Sequence, residues 1–220
     1  MKTENIYNTQ LIYDFYHGND EYSDGDIEEE LLNIVKNNRD YDKIINETDS
    51  FAVFYHLSKN REFITEVMDI SKNDSVLEIG SGCGEITGAL AREAKEVTCI
   101  DLSKRRSLIN AYKNRDNDNI KIYVGNYQDI KLDNRFDVIT LIGVFEYSLY
   151  YMQDNDPFES MLISCMEKLN ENGRLYIAIE NRLGAKYISG CKEDHVGKEF
   201  VGIEGYPGAI KARTFSCYER

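Results

Sequence analysis

The stretch Val76–Thr87, VLEIGSGCGEIT, constrains this chain more than any other. An apolar run of strand length breaks into Gly80-Ser81-Gly82-Cys83-Gly84 and then resumes with helical spacing. A strand that ends in closely spaced glycines and feeds a helix reads as the ligand-binding turn of an open α/β sheet, where ligands sit beyond the carboxyl ends of the strands. Glycine lets the backbone approach a ligand closely, because no Cβ intervenes. The same rhythm continues downstream. GEITGALAREA reads as a helix with Ile86, Leu90 and Ala94 on one face, EVTCID as a strand, and SKRRSLINAYKNR as a helix. IKIYVGN and FDVITLIGVF read as strands, PFESMLISCMEKLN as a helix opened by Pro157, and NGRLYIAIEN as a fifth strand entered through Asn172-Gly173. Apolar strands alternating with helices predict an α/β fold with a doubly wound, mostly parallel sheet.

Before this core, residues 1–71 show no strand alternation. DGDIEEELLNIV carries acidic residues ahead of Ile27, Leu31, Leu32 and Val35, a helical spacing. SFAVFYHLSKNREFITEVMDI repeats it with Phe51, Phe54, Tyr55, Phe63, Ile64 and Val67. Residues 1–71 are therefore expected to form an N-terminal helical extension that packs on a core spanning 72–181. Residues 182–220 hold six glycines, a proline and little periodicity, the mark of a functional or mobile loop.

Three ligand classes bind at glycine-rich turns. A phosphate loop requires a terminal Gly-Lys-Ser/Thr, which is absent. A dinucleotide fingerprint requires a third glycine where this chain has Glu85, and a carboxylate at that helix start opposes a pyrophosphate. Both phosphate readings weaken, and the third class, a sulfonium cofactor, stays open. A nicotinamide-dependent oxidoreductase and a Rossmann-like domain with a degenerate pocket stay as alternatives.

The pattern E-x-G-x-G-x-G from Glu78 to Gly84 resembles motif I of the class I S-adenosylmethionine-dependent methyltransferases. The resemblance covers about residues 71–181 and has four stations in order. Glu78, Gly80, Ser81, Gly82, Cys83 and Gly84 stand at the cofactor turn. Asp101, seventeen residues beyond Gly84 and followed by Leu102, matches the acidic residue that accepts from the two ribose hydroxyls. Asn126 and Tyr127 match the positions facing the adenine. Ile142 and Gly143, in LIGVFEYS, match the segment that floors the cofactor. The resemblance implies a Rossmann-like methyltransferase fold, S-adenosylmethionine as methyl donor with S-adenosylhomocysteine as product, and no metal. The helix start after Gly84 can take that donor's carboxylate. The alternative function within it is a non-catalytic module that binds the donor or its product.

The flanks YSDGDIEEELL, YHLSKNREFI, DLSKRRS and ENRLGAKYISGCKEDHVGKEFVGIEGY are similar to a bacterial methyltransferase group found beside glycosyltransferase and surface-glycan genes. That similarity implies a small-molecule, sugar or glycan-linked acceptor and O-methylation. Tyr55, His56 and Arg61 are placed to close over the cofactor, with His56 equally readable as a core histidine. Tyr22 and Asp24 can reach the pocket, although SDGD reads more simply as a helix cap. His195 in KEDHVG is the candidate general base, since a neutral imidazole near pH 7 takes a hydroxyl proton. Glu146 and Tyr147 are candidate catalytic partners. Glu180, Asn181, Arg182, Glu204 and Tyr206 are candidates for binding the acceptor. Against the family's seven strands, five are legible here. The closing helix and hairpin are expected to be missing, exposing the fifth strand to a homodimer contact or to the 182–220 loop.

Charge and composition narrow the partners. A net charge of −13 and a pI of about 4.7 repel nucleic acid, and Lys104-Arg105-Arg106 reads as a solvated helix face. No apolar run reaches the ~20 residues of a membrane span, and the first twenty residues lack a signal-peptide core. Five scattered cysteines without a CxxC pair suggest neither a zinc site nor a disulfide framework, and reduced thiols suit the cytoplasm.

Overall fold

A computed structural model describes residues 2–18, 20, 25–152, 154–208, 212–217 and 219. Tyr22 and Asp24 lie outside them. The sheet has seven strands: β1 Thr3–Ile6, β2 Thr9–Ile12, β3 Ser75–Ile79, β4 Glu96–Asp101, β5 Ile120–Val124, β6 Phe136–Ile142 and β7 Leu169–Ala178. Their order is β1-β2-β5-β4-β3-β6-β7. The pairs β3–β4, β4–β5 and β2–β5 are parallel, and β1–β2 is antiparallel. The carboxyl ends of β3 and β4 adjoin one another, with Ile79 opposite Ile100. The five strands read from the sequence all form, and the doubly wound α/β class holds.

The helices are α1 Asp26–Asn37, α2 Tyr41–Glu47, α3 Phe51–Leu57, α4 Thr87–Glu93, α5 Lys104–Lys113, α6 Ser148–Tyr151, α7 Pro157–Lys168 and α8 Ala185–Ile188. Two compact units are present. The first comprises residues 1–140 and 169–174, the second residues 141–168 and 175–220, so the division cuts β6 and β7 along their length.

In the first unit the structure departs from the sequence expectation at the start. Residues 3–12 form a hairpin, not helix. Its two-residue turn puts Tyr7 at φ 53°, and β2 buries Thr9, Leu11 and Ile12 against β5. Each strand has four residues, too few to show a period of two, and the turn contains neither glycine nor proline. The hairpin brings the sheet to seven strands at the edge opposite β7, which stays outermost. Beyond β7, the described residues add only isolated bridges at Asn181–Phe215 and Lys192–Glu199.

The helical reading holds for α1. Leu31, Leu32 and Val35 pack with Val53, Leu57, Cys83 and Ile109 in one cluster. Truncating a fully buried leucine such as Leu31 costs about 2–5 kcal/mol. The next stretch breaks at Ser58 into α3 and a 3₁₀ helix, Lys59–Val67. Its expected apolar face points outward, with Phe51 74% and Val67 81% exposed, while Val53, His56 and Leu57 turn inward. The basic triplet is not a solvated face either. Arg106 bonds the fully buried Glu28 at 2.7 Å and Lys104 lies over the Tyr13 ring, which ties α5 to the segments before the core.

Candidate active site

The glycine turn in the first unit is shaped by backbone geometry. Gly80, Gly82 and Gly84 have φ of 70°, 54° and 79°, a region that side chains rarely enter. At Gly84 a Cβ would stand 2.4 Å from Asn110 Oδ1, so the turn is closed from behind by α5. The N–H groups of Gly80 and Ser81 donate to the Ile100 carbonyl at 2.8 and 3.1 Å. Gly82 N–H donates to Asp101 Oδ2 at 2.8 Å, and Ser103 N–H to Asp101 Oδ1 at 2.9 Å. The end of β4 is thus clamped to the turn through Asp101. Burial raises the Asp101 carboxyl, against the pull of these donors.

Two predicted contacts are redirected. Helix α4 begins at Thr87, after a turn through residues 82–86, so its start does not follow Gly84 directly. Cys83 is fully buried in the α1–α3–α5 cluster, which leaves its backbone rather than its thiol for a ligand. Glu78 is also buried, beneath the turn, and accepts from Thr87 Oγ1 at 2.6 Å. Burial pushes its carboxyl up to about 8, so it is protonated at neutral pH.

Glu85 behaves oppositely. Burial would raise it, but the bond to His56, then Lys113 and Arg61, outweigh that and hold it at about 2. His56 Nδ1 lies 2.5 Å from Glu85 Oε1. His56 is therefore a satisfied core histidine one residue removed from the turn. The ionised Glu85 also stands against the glycines, with Oε2 3.1 Å from where a Gly82 Cβ would be. Its charge is matched by His56, Lys113 and Arg61, so the carboxylate braces the turn rather than presenting a free charge to the ligand. Tyr55 is partly exposed with the Arg61 guanidinium 4.6 Å from its ring centroid. Asn126, half-buried, accepts from Gln128 N–H, and Tyr127 is buried.

The second unit gathers another set. Ile142 closes β6, and Gly143 (φ 68°) donates to the Ala178 carbonyl at 2.8 Å. Glu146 is 2% exposed, with Oε1 3.8 Å from His195 Nε2 and no hydrogen-bond partner on Oε2. Tyr147 meets the His195 ring edge-on at 5.2 Å. His195 Nδ1 is 2.8 Å from Glu193 Oε1. Glu193 in turn accepts from the N–H groups of His195 and Val196 and from the Tyr206 hydroxyl at 2.9 Å. Burial would raise Glu193, but these donors, His195 first, hold it low. Burial would lower His195, but Glu146 and Glu193 push it up to about 9. The imidazole is thus protonated at neutral pH, not the free base expected, because two carboxylates flank it.

Of the acceptor candidates, Tyr206 enters this network as a brace of Glu193, bonded also to Thr214 Oγ1 at 2.6 Å. Glu180 is exposed, yet a carboxylate oxygen of it lies within 4.8 Å of ligand atoms of Glu146 and His195. Asn181 bridges Phe215, Arg182 pairs with Glu219 at 2.9 Å, and Glu204 is exposed away from these bonds. Glu193, Thr214 and Lys113 were not anticipated. A carboxylate two residues ahead of the histidine in KEDHVG was the available signal for Glu193.

A sequence model of the methyltransferase domain matches residues 77–175. YrhH of Bacillus subtilis (strain 168), a protein provisionally named a methyltransferase, is 32% identical over 152 residues, covering 66% of this chain and 81% of that protein. The mitochondrial ubiquinone biosynthesis O-methyltransferase of Schizosaccharomyces pombe (strain 972 / ATCC 24843) is 28% identical over 73% of this chain, which spans 60% of its length. Among solved structures, Haemonchus contortus phosphoethanolamine N-methyltransferase 1, with phosphoethanolamine and S-adenosylhomocysteine, superposes with a TM-score of 0.50. It is 18% identical and the match covers 87% of this chain and 37% of that one, a likeness of fold.

Proposed function

Because the chain belongs to the class I S-adenosylmethionine-dependent methyltransferases, we propose that it methylates a hydroxyl oxygen of a small-molecule, sugar or glycan-linked acceptor. The observation that carries the cofactor assignment is the turn at Gly80–Gly84, clamped to Asp101. In this reading the backbone at Gly80, Ser81, Gly82, Cys83 and Gly84 takes the methionine part. Asp101 exchanges Gly82 N–H for ribose hydroxyls, with Leu102 alongside. Asn126 and Tyr127 take the adenine. Tyr55 and Arg61 close over it, and Ile142 and Gly143 keep the flooring role that the resemblance implies. Glu78 acts from beneath, by shaping the turn.

The acceptor's lone pair forms the new C–O bond as the S–CH₃ bond breaks, leaving neutral S-adenosylhomocysteine. The hydroxyl proton goes to the Glu146 carboxylate, beside which Tyr147 and the protonated His195 stand. Most of the acceleration comes from holding oxygen and methyl in line, an effect on the order of 7–11 kcal/mol. Asn181, Arg182, Glu204 and Tyr206 are assigned to the acceptor side, Tyr206 through Glu193. The curated relative named as an O-methyltransferase supports oxygen as the target. The free thiols support a cytoplasmic location, and the edge of β7, outermost among the strands of the described residues, suits a homodimer, which light scattering would test.

The test is a thermal melt with S-adenosylmethionine and with S-adenosylhomocysteine, followed by mass spectrometry of hydroxylated acceptors. A ligand that binds only the folded state must raise the melting temperature. No shift at millimolar ligand overturns the cofactor site, and products methylated only on nitrogen overturn the choice of oxygen.

A further inference from the structure

The carboxylates of Glu146 and Glu180 converge with the His195 imidazole from three separate segments of the second unit. Each offers one ligand atom, and these atoms lie within 4.8 Å of one another. We infer that they form a site for a divalent cation of the Mn²⁺ or Zn²⁺ kind.

Three independent features point to an ion. The first is the orphaned oxygen of Glu146. A buried carboxylate oxygen without a donor is costly, and its natural complement is a donor or a cation. The second is the spacing. Glu146 Oε1 and His195 Nε2 are 3.8 Å apart, too far for a hydrogen bond. Two ligands on one tetrahedral ion with bonds of about 2.1 Å stand about 3.4 Å apart, so the gap is close to ligand spacing.

The third is the support behind the histidine. Metal-binding histidines as a rule hold their other ring nitrogen on a carboxylate. Here His195 Nδ1 lies on Glu193, itself fixed by Val196 N–H and by Tyr206, which Thr214 braces. Nε2 is thereby fixed toward Glu146. Of the nearby cations, Lys186 is paired with Asp194, and Arg182 and Arg213 with Glu219. Lys186 also feels the Glu180 charge, and a bound ion would displace the proton that His195 otherwise holds. The exposure of Glu180 leaves one side open, as a catalytic site requires. One imidazole with two carboxylates suits Mn²⁺ or Zn²⁺ better than a softer ion.

This deepens the proposed methyl transfer and rests on it only for what the ion does. An acceptor hydroxyl bound to the ion would lose its proton more readily, and the proton passes to water. Acceptors with two adjacent oxygens, which bind an ion through both, are then favoured.

The experiment is Mn²⁺ titration of the chelator-stripped 220-residue chain, followed by calorimetry and electron paramagnetic resonance, with S-adenosylhomocysteine titrated into the same samples. A single Mn²⁺ per chain is expected. Glu180→Gln, an exposed change that spares the fold, and His195→Gln should each weaken it about tenfold to a hundredfold, whereas the exposed Glu199→Gln should leave it unchanged. No Mn²⁺ binding up to millimolar, or binding indifferent to Glu180→Gln and His195→Gln, overturns the ion site. Retained S-adenosylhomocysteine binding in that case leaves the methyltransferase reading standing. Mn²⁺ bound as expected without S-adenosylhomocysteine supports the ion and overturns the cofactor assignment instead.

Discussion

Both units bury a histidine whose Nδ1 meets a glutamate, at 2.5 Å for His56–Glu85 and 2.8 Å for His195–Glu193. The surroundings separate them. Around Glu85 stand Lys113 and Arg61, so the acid is balanced and the pair is a strut behind the glycine turn. Around His195 stand further acids, Glu146 and Glu180, one with an oxygen that nothing satisfies. The same pair of residue types stands among balancing cations in one unit and among further acids in the other. Histidine and glutamate in contact therefore do not define a site, and the proposed one rests on the charge on the far side of the ring.

The largest test of that contrast is His195→Gln. Methyl transfer should fall about 10²–10⁴-fold, while the thermal shift with S-adenosylmethionine stays. An active variant would make His195 a strut like His56. Next is Glu85→Gln. Its folded pKa of about 2 lies below the ordinary 4.5, so its stabilising contribution is present above 4.5 and lost as pH falls toward 2. The variant should lose on the order of 2 kcal/mol at neutral pH and show a flatter acid limb in denaturant titrations. An unchanged acid limb would remove the strut. The smallest effect belongs to Glu78→Gln. Its folded pKa of about 8 lies above 4.5, so its contribution is full below 4.5 and lost as pH rises through about 8. The variant should gain on the order of 1 kcal/mol relative to the parent above pH 8, seen as a higher melting temperature. A loss there would mean that the ionised carboxylate is wanted beneath the turn.

The sheet core was legible because its strands are apolar runs bounded by glycines, and the glycine turn because its positive φ values favour glycine. Tertiary context decided the rest. The outward face of α3 could not be foreseen, since Phe51 and Phe54 carry the helical spacing of a buried stripe but Val53 and Leu57 fill the core. The protonated state of His195 could not be read either. It depends on Glu146, forty-nine positions away in sequence, and on the short return from Glu193. Lys104-Arg105-Arg106 shows the same limit, because its buried partner Glu28 lies on a helix that spacing alone cannot dock.

The hairpin at the start of the chain has a kinetic meaning. Gln10 pairs with Lys121, so β2 waits until more than a hundred further residues exist before that partner is available. Closing so long a loop costs chain entropy before any contact repays it. In a chain emerging from the ribosome, the β3–β4 pair and the β1–β2 hairpin can each assemble before β5 is synthesised, whereas the outer edge of β2 must wait for β5. The residues of β2 are made more than a hundred positions ahead of the strand that fastens them.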